Sequence, residues 1–328
     1  MSQPAQPPTP PASEWRSIMS DYLGLVVALG LLILFFSLAT KHFFSPETFR
    51  TIANQIPAVV LVATGMTFIL IVAEIDLSVG SVLGFCGAVV GVALTRWHWP
   101  LWAALLGAVA VGVGCGLFNG LVTLRWRLPS FIVTLGMMEM ARGAAHAVTQ
   151  SQTQYIGPAI EGIAGTSIMG LSLPFLLALL VVIGAQTVLT HGRLGRYMLA
   201  VGANEQAARF SGLNPRRIKL TVFVISGVLV ALAAIIDTSR FQSANPNAGS
   251  GFELQAIAAA VIGGTSLMGG RGSVVRTLFG VLIIAVLNSG LASIGAKDEI
   301  KRLVTGAVIV IAVIVDYYRQ RLGKRHAT

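Results

Sequence analysis

Two acidic residues stand close together in an otherwise apolar chain. Glu74 and Asp76 are separated by one residue, and Ser78, Gly80 and Ser81 follow them. Paired carboxylates can transfer protons or bind a cation. A single carboxylate can instead cap a helix, because it accepts hydrogen bonds from the free amides of the first turn. For Asp76 the alternatives are therefore capping of the next helix, a contact for gating or for a partner, and proton coupling.

A second charged pair is formed by Glu139 and Arg142, whose spacing places both side chains on one face of a helix. Both fall inside a long apolar run, where an unpaired charge in a membrane costs at least about 2.5–3.5 kcal/mol. The pair is interpreted either as part of a transport pathway or as a structural ion pair. Asn119, in the preceding apolar run, is a further pathway candidate.

The sequence shows no nucleophile–base constellation and no metal-ligand spacing. The two cysteines, Cys86 and Cys115, lie inside apolar runs and are predicted to be packing residues. The histidines lack the i, i+4 spacing of a helical metal pair; they are His42, His98, His146, His191 and His326. We therefore predict no catalytic residue, no metal site and no cofactor in this chain.

These residues must be positioned by membrane helices, because 55% of the chain is hydrophobic and only 11% is charged. Soluble domains carry about 25% charged residues. We predict an all-α, polytopic membrane protein with about ten transmembrane helices, at residues 22–40, 56–73, 82–95, 101–124, 130–148, 171–190, 220–236, 254–268, 277–294 and 303–315. A crossing needs about 20 residues, so several helices are expected to be short, broken or re-entrant.

The net charge of +10 is attributed to the orientation of the protein in the membrane and not to nucleic-acid binding. With the N-terminus in the cytoplasm, most Lys and Arg residues fall on the cytoplasmic side, which predicts two cytoplasmic termini and an even number of crossings. The predicted organisation is a disordered cytoplasmic tail at 1–21, a transmembrane domain at 22–318 with a cytoplasmic loop at about 191–219, and a basic cytoplasmic tail at 319–328.

The densest basic segment, 193–219, reads RLGRYMLAVGANEQAARFSGLNPRRIK. A short surface helix is predicted at 204–210 from an N-cap, two helix-favouring alanines and a glycine stop, at Asn204, Ala207, Ala208 and Gly212. The segment is either a docking helix for a cytoplasmic partner or a solvated basic loop.

Within this segment, GANEQAARFSGLNPRRIK resembles the coupling loop of permease subunits of ABC importers, in particular the ribose/xylose/arabinose type. Three further stretches resemble motifs of the same family: VAEIDLSVGS at 72–81, TLGMMEMARG at 134–143 and FELQAIAAAVIGGTSLMGGRGSV at 252–274. The sequence departs from the family pattern at Glu74, where glycine is usual, at Arg276, where a small residue is common, and at Glu139.

The resemblance implies one subunit of a transmembrane pathway in the lipid of the inner (cytoplasmic) membrane, paired with a second permease subunit as a homo- or heterodimer. It also implies cytoplasmic ABC ATPase subunits that bind ATP and Mg, and an extracytoplasmic sugar-binding protein, with no role for nucleic acid. No Walker A phosphate loop occurs in the chain, which agrees with a separate ATPase.

The resemblance also assigns candidate residues. The ATPase-coupling segment contains Gly202, Asn204, Glu205, Ala207, Ala208, Arg209 and Gly212, with Glu205 and Arg209 as the expected partner contacts. Gating candidates in the other motifs are Asp76, Ser78, Gly80, Ser81, Gly263, Gly264, Gly269, Gly270 and Gly272. The glycine-rich stretch is interpreted either as close helix packing with a broken helix or as backbone that lines the pathway.

Two features are expected at the outer boundary. The segment 242–251, which follows Asp237 and Arg240, either meets the binding protein or forms an ordinary turn. The tryptophans Trp97, Trp99 and Trp102 are predicted to form an interfacial aromatic belt.

Two alternative functions stay open. The first is a permease of the same superfamily for branched-chain amino acids or nucleosides. The second is an ion-coupled secondary transporter, which would use Glu74, Asp76, Glu139 and Arg142.

Overall fold

The computed structural model describes residues 12–168 and 170–325. Their helices are α1 Ala12–Ala39, α2 Pro46–Gln55, α3 Pro57–Ile71, α4 Val79–Thr95, α5 Leu101–Trp126, α6 Ser130–Thr149, α7 Pro158–Gly165, α8 Leu173–His191, α9 Arg193–Ala203, α10 Glu205–Phe210, α11 Pro215–Phe241, α12 Phe252–Ile262, α13 Val274–Ser293 and α14 Asp298–Arg325. Two short antiparallel pairs join β1 Gln154–Tyr155 to β4 Ser243–Ala244, and β2 Ser167–Ile168 to β3 Leu171–Ser172.

Each of the ten apolar runs contains a helix, which confirms the prediction of a polytopic helical membrane protein. Within the described ranges, five helices are long and apolar enough to cross a membrane: residues 22–39 of α1, and α5, α8, α11 and α13. A sixth candidate is the pair α2 and α3, which is bent by 49°. The apolar helices α4 and α12 are shorter, so the expectation of short and broken helices is also confirmed. Ten crossings remain a prediction.

The predicted disordered tail at 1–21 needs correction, because α1 begins at Ala12 and residues 12–21 are helical. The last proline of the N-terminal segment is Pro11, so no proline interrupts the helix beyond that point. Residues 1–11 lie outside the described part of the chain. At the other terminus α14 continues through Arg325, so most of the predicted basic tail is helical, and residues 326–328 are not described.

Helix α3 forms the centre of the molecule and is buried on all sides, as expected for a helix that is apolar around its whole circumference. It packs against α8, α11, α12 and α13. Its two threonines are hydrogen-bonded: Thr64 donates to the Val60 carbonyl and Thr67 to the Ala63 carbonyl. The core helix therefore buries no unsatisfied hydroxyl of its own.

Helices α5 and α11 pack closely against each other through glycine. A Cβ atom on Gly112 would collide with the Gly227 carbonyl, and a Cβ atom on Gly227 would collide with the Gly112 carbonyl. Small residues allow two membrane helices to approach to backbone contact in this way.

The connections gather at two ends of the helix assembly. One end, called the basic end, carries Glu74, residues 193–219 and the loop 263–273. There the Gly270 amide donates to the Ile71 carbonyl, and the Val274 amide donates to the Gln186 side chain. The opposite end holds the β1–β4 pair, where the Ala164 amide also donates to Ser239. This grouping agrees with the alternation of connections that the charge pattern predicts.

Candidate functional site

The short helix α10 has the boundaries that the sequence predicts. The Asn204 side chain accepts a hydrogen bond from the Ala207 amide at 2.9 Å and caps the helix. Gly212 has a φ of +83°, and the Leu213 amide donates back to the Ala208 carbonyl. These contacts form a glycine-terminated C-cap. The predicted surface helix at 204–210 is confirmed as a structural element.

A chain of charged contacts ties α10 to the helix core. The Lys219 Nζ lies 2.7 Å from Glu74 Oε1 and 2.8 Å from Glu205 Oε2. The other oxygen of Glu205 lies 3.0 Å from Arg209 Nη2. Glu74 and Lys219 are each only 9% exposed. Glu74 follows α3, so the contacts run from the surface helix to the end of the central helix.

Glu205 is more accessible than Lys219 and Glu74, and its pKa is lowered below the ordinary value of 4.5. The main cause is the hydrogen bond from Lys219, and the charge of Arg209 adds to it. Because a lowered pKa favours the charged form, Glu205 is ionised at neutral pH and keeps both contacts.

The glycine-rich loop after α12 packs against the same region. The helical part of the eighth apolar run ends at Ile262, and Gly264, Gly269 and Gly270 all have positive φ values. The loop is therefore a helix break, as one of the two interpretations expected. Gly263 contacts the backbone of Arg276, and Gly272 contacts the side chain of Ile71. The alternative, that this backbone lines the pathway, stays a prediction.

A further close contact joins the loop to the end of α9. A Cβ atom on Gly202 would lie 2.6 Å from the Gly270 amide nitrogen, and one on Gly270 would lie 2.8 Å from the Ala203 Cα. Real Cβ contacts of this length essentially do not occur. The residues immediately before α10 thus rest directly on the loop and on Ile71.

Asp76 and Glu74 have different partners, so the structure does not use them as a carboxylate pair. Asp76 Oδ1 accepts from the Ser78 amide at 2.9 Å and from the Ser78 hydroxyl at 2.6 Å. Ser78, not Asp76, occupies the N-cap position of α4, and its side chain makes no capping bond. The predicted capping by Asp76 is wrong, because its carboxylate instead closes a turn with the residue two positions later.

Asn119 joins this buried group, although it was predicted as a separate pathway residue. Its Nδ2 donates to the Ser78 hydroxyl at 3.0 Å, while its Oδ1 is buried with no partner among the described residues. Ser81 is buried one turn into α4, and Gly80 lies against Gly249 of the opposite end. Asp76, Ser78 and Asn119 therefore form one polar cluster inside the helix assembly.

Arg142 and Glu139 do not form the ion pair that was one of the alternatives. The Arg142 Nη1 donates to the carbonyls of Pro246 at 2.6 Å and Ala248 at 3.0 Å. Within the described chain no salt bridge joins it to Glu139, and the charges of Glu253 and Glu139 act on it from a greater distance. The long guanidinium side chain reaches the 242–251 segment, whose carbonyls satisfy it. Glu139 is exposed on α6, on a face where Gly136 and Gly143 have open space around them.

The segment 242–251 combines a short strand with turns. Ser243 and Ala244 form β4, which pairs with β1 in the register Gln154–Ala244 and Tyr155–Ser243. Residues 246–251 form turns, as one of the two alternatives expected, and contact with a binding protein stays a prediction. The three tryptophans of the predicted belt are exposed, and Trp97 and Trp99 contact each other. A belt at the membrane surface stays a prediction.

Two residues near α10 were missed by the sequence reasoning. Phe210, at the end of α10, is 92% exposed. The sequence could have indicated this residue, because a large apolar side chain is unusual in a short polar helix. Lys219 was counted only as a basic residue of the segment, because its acidic partner Glu74 is remote in sequence.

Comparison with known proteins explains this architecture. Residues 48–313 match the family model described as branched-chain amino acid transport system / permease component. The chain belongs to this permease family. The permease is 38% identical to the ribose import permease protein of Escherichia coli K12, over 90% of its own length and 93% of that relative. It is 34% identical to the D-allose transport system permease protein of the same strain, over 90% and 91% of the two chains.

A third relative of the permease is the xylose transport system permease protein of E. coli K12, which is 31% identical over 93% of the permease and 94% of that protein. These matches confirm the family resemblance drawn from the sequence motifs. The permease is accordingly a transport subunit and not an enzyme.

Proposed function

We propose that the permease is the transmembrane subunit of an ATP-driven importer that translocates a pentose or hexose across the inner membrane. The relatives named for ribose, allose and xylose support this substrate class. The partners are two cytoplasmic ABC ATPase subunits, which bind ATP and Mg, a second permease subunit and an extracytoplasmic sugar-binding protein. In this arrangement the basic end faces the cytoplasm.

The observation that carries the coupling role is the charged chain Arg209–Glu205–Lys219–Glu74. A helix that merely covered the surface of the permease would not need a contact with the central helix α3. Here α10 is linked to the end of α3 through Lys219, and α9 rests on the glycine-rich loop through Gly202. A displacement of α10 by an ATPase would therefore reach the connection between α3 and α4 and the loop after α12.

The second permease subunit is supported by the exposed face of α6. Glu139 lies on this face together with Gly136, Met140 and Gly143. Because a charge facing lipid is costly, we infer that this face borders a water-containing pathway between two permease subunits. In a homodimer, two Glu139 carboxylates would lie on the two sides of that pathway.

The test is reconstitution of the permease in proteoliposomes with the ATPase and the binding protein encoded beside it. We expect uptake of radiolabelled ribose, allose or xylose that requires ATP on the ATPase side. Uptake of leucine or a nucleoside instead would favour the alternative that the family description suggests. Uptake that persists without the ATPase and collapses with an ionophore would favour an ion-coupled transporter.

A further inference from the structure

A cavity of about 570 Å³ opens at the end of the molecule opposite α10. It lies between the last turn of α11, the first half of α4, β1 and the segment 243–249. Its polar lining includes Asp237, Asn245 and Asn247, and its aromatic lining includes Tyr155 and Phe252. Ligand sites for small molecules have volumes of roughly 300–1,000 Å³ and combine apolar or aromatic walls with a few polar groups. We refer to it as the Asp237 cavity.

Asp237 is the central polar group of this cavity. Among the described residues no hydrogen bond or ion pair reaches its carboxylate, although the residue is partly buried. Arg240 acts on the carboxylate through its charge but not through a hydrogen bond, and its guanidinium lies 5.0 Å from the ring centre of Phe241. A partly buried carboxylate without a hydrogen-bond partner is costly, so it is an acceptor available to a ligand.

The two asparagines supply the complementary donors. The Asn245 oxygen accepts from the Asn247 amide at 2.8 Å, and the Asn247 oxygen lies 3.2 Å from His146 Nε2. Both side-chain oxygens are thus engaged, and the NH₂ groups have no partner in the described part of the chain. A sugar hydroxyl both donates and accepts, so a carboxylate beside free amide NH₂ groups matches its chemistry.

The wall of the cavity is positioned by contacts within the permease itself. The β1–β4 pairing fixes Tyr155 opposite Ser243, and Arg142 binds the carbonyls of Pro246 and Ala248. Arg142 belongs to α6, the helix whose exposed face carries Glu139. A movement of α6 would therefore displace the cavity wall.

We propose that the Asp237 cavity is a carbohydrate site of the permease itself, which receives the monosaccharide released by the binding protein. Asp237 accepts hydrogen bonds from sugar hydroxyls, the asparagine NH₂ groups donate to them, and Tyr155 and Phe252 face the apolar side of the ring. This inference rests on the proposed function, because it assumes a sugar substrate. A metal ion is a poorer occupant, because among the described residues that line the cavity Asp237 is the only carboxylate.

The first test compares Asp237→Asn with the wild-type permease in the reconstituted importer, using whichever of ribose, allose and xylose the wild type transports. At saturating sugar-loaded binding protein we expect uptake to fall at least about tenfold, as for loss of a charged hydrogen-bond partner. Glu47→Gln is the control, because Glu47 is an exposed carboxylate outside the cavity, and it should transport at the wild-type rate.

The second test does not depend on transport. Tyr155→Cys is made in a Cys115→Ala background, where Cys86 is fully buried, and is labelled with a methanethiosulfonate reagent in the isolated permease. Tyr155 is 82% exposed, so this variant should fold normally. The transported sugar at millimolar concentration should slow labelling several-fold, and leucine should not.

The outcomes separate the two proposals. If the wild-type importer moves no sugar with ATP, the proposed function fails. If it moves sugar, Asp237→Asn transports normally and no sugar slows labelling at position 155, the proposed function stands and the carbohydrate site is overturned.

Discussion

The Lys219 ammonium lies 2.7 Å from the Glu74 carboxylate, although the two residues are 145 positions apart in the chain. Glu74 stands where the related motifs usually have glycine, and a glycine could not hold this lysine. The contact joins the first turns of α11 to the end of the central helix α3. The permease thus contains an ionic link beside α10 that depends on Glu74.

Replacing Glu74 by glutamine tests this link. Lys219 would remain buried with Glu205 as its only carboxylate partner, so we expect the free energy of unfolding to fall by about 1–3 kcal/mol. Thermal unfolding in detergent measures the effect. Glu299→Gln, on an exposed turn of α14, should leave the melting temperature unchanged. An equally stable Glu74→Gln protein would show that the contact contributes nothing to the fold.

Reversing the charge at position 205 should uncouple transport. In Glu205→Arg the new guanidinium would repel Lys219 and Arg209, which both contact the native carboxylate. We expect membrane insertion at the wild-type level and loss of most ATP-dependent uptake, measured in proteoliposomes. Glu161→Arg, an exposed substitution on α7 at the opposite end, serves as the charge-matched control. Full uptake by Glu205→Arg would contradict the docking role of α10.

The pH dependence of the same contact follows from the lowered pKa of Glu205. A lowered pKa in the folded state means that the stabilisation is complete above the ordinary value of 4.5 and is lost as the pH falls through the lower, folded value. The difference in melting temperature between the wild type and Glu205→Gln should therefore be constant from about pH 6 to pH 8. It should shrink only in acid below pH 4.5. A difference in melting temperature that increases as the pH falls below 4.5 would contradict this prediction.

Phe210 should contribute to binding of the ATPase rather than to folding. Because its side chain is 92% exposed, Phe210→Ala should leave the melting temperature unchanged. Large aromatic residues at the centre of interfaces often contribute 2 kcal/mol or more, so we expect affinity for the ATPase to fall by roughly tenfold or more. Leu38→Ala is the control, since Leu38 is 81% exposed but lies on α1. Equal affinities of the Phe210→Ala and wild-type proteins in a pull-down titration would exclude this contact.

Substitutions at two glycines, Gly270 in the glycine-rich loop and Gly295 outside it, can distinguish the cost of backbone strain from the cost of steric contact. Gly270 and Gly295 have similar positive φ values, +73° and +77°, but only Gly270 is crowded, by Ala203. Gly295→Ala should cost about 1–2 kcal/mol from the left-handed backbone alone. Gly270→Ala should cost clearly more and should also reduce uptake, because it pushes α9 away from the loop. Equal losses of stability in the two variants would show that the loop yields to the added methyl group.

Local patterns were sufficient to predict the helices and the ends of α10. Asn204 and Gly212 act on their own neighbours, so their roles can be predicted from a few residues of sequence. The ten apolar runs likewise each contain a helix, because burial in lipid or protein requires continuous hydrophobicity.

Contacts between distant segments could not be predicted in the same way. Ser78, the partner of Asp76, also accepts a hydrogen bond from Asn119 of another helix, 41 positions later, which the local sequence around Asp76 does not indicate. Arg142 looked like a partner for Glu139, yet carbonyls about a hundred positions later hold it. The remote partners, Asn119 for Ser78 and the carbonyls for Arg142, depend on helix packing that a single sequence does not specify.

The contact between Gly112 and Gly227 has a mechanical consequence. Backbones that pack this closely at two glycines resist sliding of α5 along α11. Lys219 lies on α11 and contacts Glu74, and Asn119 lies on α5 and donates to Ser78. The non-helical stretch between α3 and α4 is therefore fastened near both of its ends to the same pair of closely packed helices.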